Sequence, residues 1–178
     1  MYVRELALRD FRSYEQVTVA FEAGVSTLLG SNGQGKTNLV EAIVYAATLG
    51  SHRVATDAPL IRRETTQATI RCVVSHDERD VELQFDIDAA RPNKAMLNRS
   101  PVKRPRDVLG YCNVVVFAPE DLALVKGDPA DRRHFLDQTL IALSPRIAAI
   151  KSDLDRVLKQ RNALLKTAQH AARRSTAE

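Results

Sequence analysis

The segment Gly30-Ser31-Asn32-Gly33-Gln34-Gly35-Lys36-Thr37 holds three of the chain's seven glycines and has the form G-x-x-x-x-G-K-[ST]. Few folds accept such a run, because glycine weakens helix and strand interiors and concentrates where the backbone needs positive φ. The residues around the glycines say what the bend is for. A concave row of N–H groups holds an anion, and Lys36 adds a cation on a flexible stem. The Thr37 hydroxyl suits Mg²⁺, and a helix starting here turns its positive end toward the same point. The combination describes a cradle for the β- and γ-phosphates of a nucleoside triphosphate. The expected cofactors are therefore ATP and Mg²⁺. The binding residues are Gly30, Ser31, Asn32, Gly33, Gln34, Gly35, Lys36 and Thr37, with Thr37 as the metal ligand.

The flanks carry the setting that such a loop requires. Val25-Ser26-Thr27-Leu28-Leu29 reads as a short apolar strand opened by a turn at Gly24. Downstream, Leu39, Val40, Ile43, Ala46, Ala47 and Leu49 recur at helical spacing, and Gly50 is placed to cap the run. Strand, glycine loop and helix in that order make this an α/β chain.

Bulk properties narrow the surroundings. With 178 residues the chain buries one substantial core, and 44% hydrophobic with 27% charged residues is ordinary for a globular protein. No apolar run approaches the roughly 18 residues of a membrane span, so no membrane partner is expected. Met1-Tyr2-Val3-Arg4-Glu5 places charges where a secretory leader needs an apolar centre. Cys72 and Cys112 lie far apart in sequence without zinc-ligand spacing, and read as buried thiols in a reducing, cytoplasmic setting.

The net charge of +4 is compatible with nucleic acid without requiring it. The charge concentrates in Arg99, Lys103, Arg104 and Arg106, a Pro-broken loop, and in the tail from Lys151. The absence of Trp argues against a stacking platform for single strands, so DNA contacts would go to phosphates and weaken with salt.

Along the chain, Tyr2–Leu8 and Gln16–Phe21 read as strands, and Ala68–Ser75 with Val81–Ile87 as an antiparallel hairpin. Lys94–Leu97 reads as a further strand turning at Asn98-Arg99-Ser100-Pro101. Asn113–Phe117, a continuous β-branched run, reads as a strand buried on both faces. Asp128-Pro129 and Ser144-Pro145 open two helices. Ile147, Ile150, Leu154, Val157, Leu164 and Ala168 form an apolar stripe, interrupted by Arg161, on the second of them, with no packing partner in the sequence. The expected division is a nucleotide-binding lobe over 1–144 and an amphipathic helix over 145–178 that begins an incomplete arm lobe.

Hydrolysis needs more than a phosphate loop. A carboxylate at the end of a second buried strand holds Mg²⁺, and a further group orients water. Glu120 and Asp121 follow Val114–Phe117, but they stand behind Pro119 and too far past the strand end. No catalytic residue is therefore assigned, and ATP turnover is expected only if motifs from elsewhere complete the site.

Several segments together resemble the RecF family of bacterial DNA replication and repair proteins, relatives of the SMC-type ABC ATPases. They are Leu6–Tyr14, Gly30–Ile43, Ser51-His52-Arg53, Phe117–Leu122 and Lys126–Asp137. The Ala118-Pro119-Glu120-Asp121 and Gly127-x-Pro129-x-x-Arg132-Arg133-x-Phe135-Leu136-Asp137 pieces are the more specific ones. The resemblance implies a P-loop NTPase of ABC/SMC-head type, with a mixed sheet around the P-loop helix followed by the start of a helical arm. It also implies that Arg12 lies near the nucleotide phosphates and that Phe117–Asp121 couples ATP binding to lobe movement. As partners it implies DNA at gaps or single-strand/double-strand junctions, RecO and RecR, and a second head in an ATP-dependent homodimer. The corresponding roles are gap repair and the SOS response. Family members are considerably longer and carry the signature motif and the metal-holding Asp beyond the matched region. A transporter head, a small-molecule kinase and a truncated nucleotide-binding fragment are the alternatives.

Overall fold

Strand β1 (Tyr2–Phe11) alternates so that Leu6 and Leu8 face inward, and then breaks its own rhythm. Asp10 takes φ 49°, which sends Phe11 rather than Asp10 into the core. The irregular residue is held from outside by Arg62, whose N–H donates to the Asp10 carbonyl and whose Nε donates to Oδ1, both at 2.8 Å. The chain turns at Arg12-Ser13 into β2 (Tyr14–Ala20), pairing Leu6 with Val19 and Leu8 with Val17. This is a computed structural model describing residues 1–77, 79–122 and 127–175. Lys126 and the last three residues lie outside that description, as do the side chains of Arg173 and Arg174 in the basic tail.

Strands β3 (Gln67–His76) and β4 (Arg79–Asp88) form the expected hairpin, followed by β5 (Lys94–Leu97) and the two-residue β6 (Ser100–Pro101). The β5–β6 turn puts both Asn98 and Arg99 in the left-handed region, as a two-residue turn matched to strand twist requires. The sheet order is β2-β1-β3-β4-β5-β6, with each pair antiparallel.

One face of this sheet presents Leu6, Leu8, Ile70, Cys72, Val74, Leu83, Phe85 and Ile87, all buried. Helix α1 (Lys36–Thr48) covers it through Leu39, Ala42, Tyr45 and Ala46. The Tyr45 and Phe85 rings meet edge to face at 5.9 Å. Burying side chains of this size stabilises the fold by about 1.5–3 kcal/mol each. The opposite face carries a cross-strand charge ladder, Arg4 to Asp80 and Arg71 to both Glu5 and Glu82. With α1 fixed by its apolar face, its first turn and the glycine loop are set beside the β1–β2 turn.

Three expectations need correcting. Val25–Leu29 and Asn113–Phe117 belong to no strand. Val25, Leu29, Val115 and Phe117 are 98%, 87%, 99% and 96% exposed. A β-branched run becomes a strand only by pairing, and neither segment meets a partner among the described residues. Third, α1 is closed not by Gly50 but by Leu49, which takes φ 58° and donates its N–H to the Tyr45 carbonyl at 2.8 Å. Packing of the Leu49 side chain against the core offsets the left-handed strain.

Cys72 and Cys112, distant in sequence, both lie in the core and are buried free thiols as expected. Helix α2 (Pro129–Leu143) starts after Asp128, whose N–H is taken by Asp131 at 3.1 Å. Helix α3 (Ile147–Ser175) is tied to α2 by Lys151, 3.5 Å from Asp137. Its Ile150, Leu154, Val157 and Leu164 are all at least half exposed. Among the described residues no helix is long and apolar enough to cross a membrane.

Candidate phosphate-binding site

The loop between residues 29 and 36 owes its shape to three glycines with positive φ, Gly30 at 149°, Gly33 at 84° and Gly35 at 89°. Gly35 is doubly constrained. It is the residue from which α1 springs, and a Cβ there would stand 2.9 Å from Ser13 Oγ and from the Tyr14 ring. The β1–β2 turn is thus a wall of the loop. Tyr14 donates its hydroxyl to the Gln34 carbonyl at 3.3 Å, and Asn38 Nδ2 donates to Ser13 Oγ at 3.0 Å.

Lys36 arches back over the loop, its Nζ donating to the carbonyls of Gly30 at 2.7 Å and Ser31 at 2.8 Å. The Ser31 N–H is held by Gln34 Oε1 at 3.0 Å. Asn32, Gly33 and Thr37 are exposed at the mouth. No side chain caps the N-terminus of α1, which leaves the N–H groups of Lys36 and Thr37 as donors for an anion, while that of Asn38 turns to the Gly35 carbonyl at 2.8 Å. These groups fit a triphosphate: a positive-φ loop, an ammonium held above it, an uncapped helix start and a hydroxyl at the rim. Among the described residues no group of three His, Cys, Asp or Glu converges, and Thr37 is the loop residue whose hydroxyl could ligate Mg²⁺.

Beside this loop lies a residue that sequence reading passed over. Glu41, on the second turn of α1, is fully buried, the one charged residue so placed among those described. Arg12 engages it with two prongs, Nε to Oε2 at 2.9 Å and Nη2 to Oε1 at 2.6 Å. The remaining Arg12 nitrogen donates to the Pro59 carbonyl at 2.9 Å. Ser51 donates its hydroxyl to Oε1 at 2.5 Å, and Arg53 Nη1 reaches Oε2 at 3.4 Å and Asn38 Oδ1 at 3.2 Å. Burial alone would raise the Glu41 pKa. The bonds from Arg12 and Ser51 and the charges of Arg12 and Arg53 outweigh it, holding the carboxyl below its ordinary value. The signal in the sequence was an acid four residues ahead of Tyr45 on the apolar side of an amphipathic helix.

Arg12 therefore stands in the turn that walls the loop, with its guanidinium on Glu41. Asp121, weighed above as a metal ligand, spends its carboxylate on its own turn, accepting the Ala118 N–H at 2.7 Å.

A family model described as the RecF/RecN/SMC N terminal domain matches residues 2–113. The DNA replication and repair protein RecF of Streptomyces avermitilis is 56% identical over 173 residues, covering 97% of this chain and 46% of that protein. RecF of Paenarthrobacter aurescens is 58% identical over 168 residues, covering 94% and 42%. The chain thus spans a little under half the length of these relatives. Among solved structures, the recombination mediator protein RecF-ATP in the RecFOR pathway matches with a TM-score of 0.87 at 28% identity, covering 93% of this chain and 45% of that one. A structure concerned with ATP-driven dimerization and DNA-stimulated activation of SMC ATPases shares the fold, with a TM-score of 0.61 at 20% identity over 78% of this chain and 99% of that one. The resemblance and the ABC/SMC-head fold expected from the sequence both stand.

Proposed function

Because the chain belongs to the RecF/RecN/SMC N-terminal domain family, we propose that it is the nucleotide-binding half of a RecF-type, ATP-dependent DNA-binding protein of replication and recombinational repair. The observation that carries this reading is the Gly30–Thr37 loop, with Lys36 arched over two of its carbonyls and an uncapped helix start behind it. Residues 1–144 form the nucleotide-binding lobe and 145–178 begin an arm.

Bound ATP with Mg²⁺ supplies negative charge and a coordinating cation at the loop. With ATP and Mg²⁺ bound, Lys36 and the loop amides would hold phosphate oxygens and Thr37 would offer its hydroxyl to the metal. Arg12, in the turn that walls the loop, adds positive potential. The reading is one of binding and switching. ATP joins two heads, and DNA at gaps or junctions is held by the closed pair, with RecO and RecR as partners in the cytoplasm. RecF relatives are named for replication and repair, and the matched RecF-ATP structure is placed in the RecFOR pathway, which supports the assignment.

The test couples the two ligands. Gapped duplex should be retained more tightly when ATP and Mg²⁺ are added, and Lys36→Ala should remove that gain. Retention indifferent to ATP in both proteins would contradict the proposal.

A further inference from the structure

We infer that Glu41 is a positioning residue for the phosphate site: its buried carboxylate seats Arg12 and Arg53 and, through the turn that carries Arg12, fixes the wall against which the loop is built. The inference rests on the nucleotide reading above.

An isolated carboxylate at this depth is strongly unfavourable, so its partners are obligatory. What distinguishes it from an ordinary structural ion pair is where those partners come from. Oε1 takes Arg12 Nη2 and Ser51, while Oε2 takes Arg12 Nε and Arg53 Nη1. The donors belong to the β1–β2 turn and to the segment after α1, and the acceptor belongs to α1 itself. The turn that bears Arg12 also touches the loop. Ser13 and Tyr14, next to Arg12, occupy the space a Gly35 Cβ would need, and Tyr14 holds the Gln34 carbonyl.

Asn38 closes the circuit, accepting from Arg53 on Oδ1 and donating to Ser13 through Nδ2. Glu41 thus sets where the two guanidinium groups stand beside the loop.

A purely structural ion pair, once the protein is folded, leaves phosphate affinity unchanged. A positioning residue loses its effect when the group it positions is removed. Affinity for a fluorescent ATP analogue with Mg²⁺ is to be measured on the full chain for wild type, Glu41→Gln, Arg12→Gln, the double variant and Lys36→Ala, with melting curves on the same samples. We expect Glu41→Gln to weaken binding about tenfold and to add almost nothing in the Arg12→Gln background.

Additive losses, or wild-type affinity in a folded Glu41→Gln protein, would overturn the inference while leaving the nucleotide site intact, provided Lys36→Ala abolishes binding. A wild type that does not bind, or a Lys36→Ala protein that binds equally well, overturns the nucleotide reading and this inference with it. If Glu41→Gln fails to fold, Arg12→Gln, Arg53→Gln and their combination replace it. Non-additive losses support a shared carboxylate, and additive ones overturn it.

Discussion

Arg12 and Glu41 join the β1–β2 turn to the P-loop helix through two parallel hydrogen bonds of 2.9 and 2.6 Å. The pair is charge-assisted, bidentate and largely shielded from water, and breaking one side leaves the other charge stranded. Truncation by Glu41→Ala should therefore cost about 3–5 kcal/mol of stability.

The same carboxylate gives stability a pH dependence with a definite sign. Its folded pKa lies below the ordinary value. Its contribution is therefore complete above the unfolded pKa of about 4.3 and is lost as pH falls through the folded value. Denaturant midpoints measured from pH 6 down to pH 3 (roughly the window set by these values) should fall more steeply for wild type than for Glu41→Gln. Parallel curves would contradict the assignment.

Gly35→Ala tests the loop's fit to its wall. The residue sits at φ 89°, and a Cβ would press on Ser13 and Tyr14 at 2.9 Å. The strain is expected at about 1–3 kcal/mol, with loss of phosphate binding even where the protein stays folded. Calorimetric melting together with nucleotide titration checks both parts, and an unchanged affinity would show that the wall does not shape the loop.

Phe117 separates the observed structure from the sequence expectation. A phenylalanine in a doubly covered strand would lose about 3–5 kcal/mol on replacement by alanine. At 96% exposure, Phe117→Asp should change stability by no more than about 0.5 kcal/mol. It should also lower binding of a hydrophobic dye to the chain.

The thiol pair gives a reactivity prediction. The neighbouring Cys112 thiol, together with burial, pushes the Cys72 thiol far above the ordinary range, so thiolate is scarce. Alkylation at Cys72 should therefore follow global unfolding, and rapid reaction in native buffer would refute the packing.

Features written in local chemistry were legible from the sequence: the glycine loop, the amphipathic α1, the β3–β4 hairpin and a turn beginning at Asn98, though Ser100 and Pro101, read as part of that turn, pair with β5 as β6. What failed was decided by partners. Val25–Leu29 and Asn113–Phe117 have strand composition but no neighbour among the described residues. Leu49 replaced Gly50 as the left-handed residue because core contact outweighed backbone preference. Glu41 stayed hidden because a helix acid is normally read as solvent-facing. Its donors Arg12, Ser51 and Arg53 come together only when the β1–β2 turn and the segment after α1 close on it.

The most direct measurement is isothermal titration calorimetry of the folded chain with ATP and Mg²⁺, run beside Lys36→Ala. The account predicts saturable heat for wild type and none for the variant. Absence of binding heat in a wild-type chain shown to be folded, or equal heat in both proteins, would contradict it.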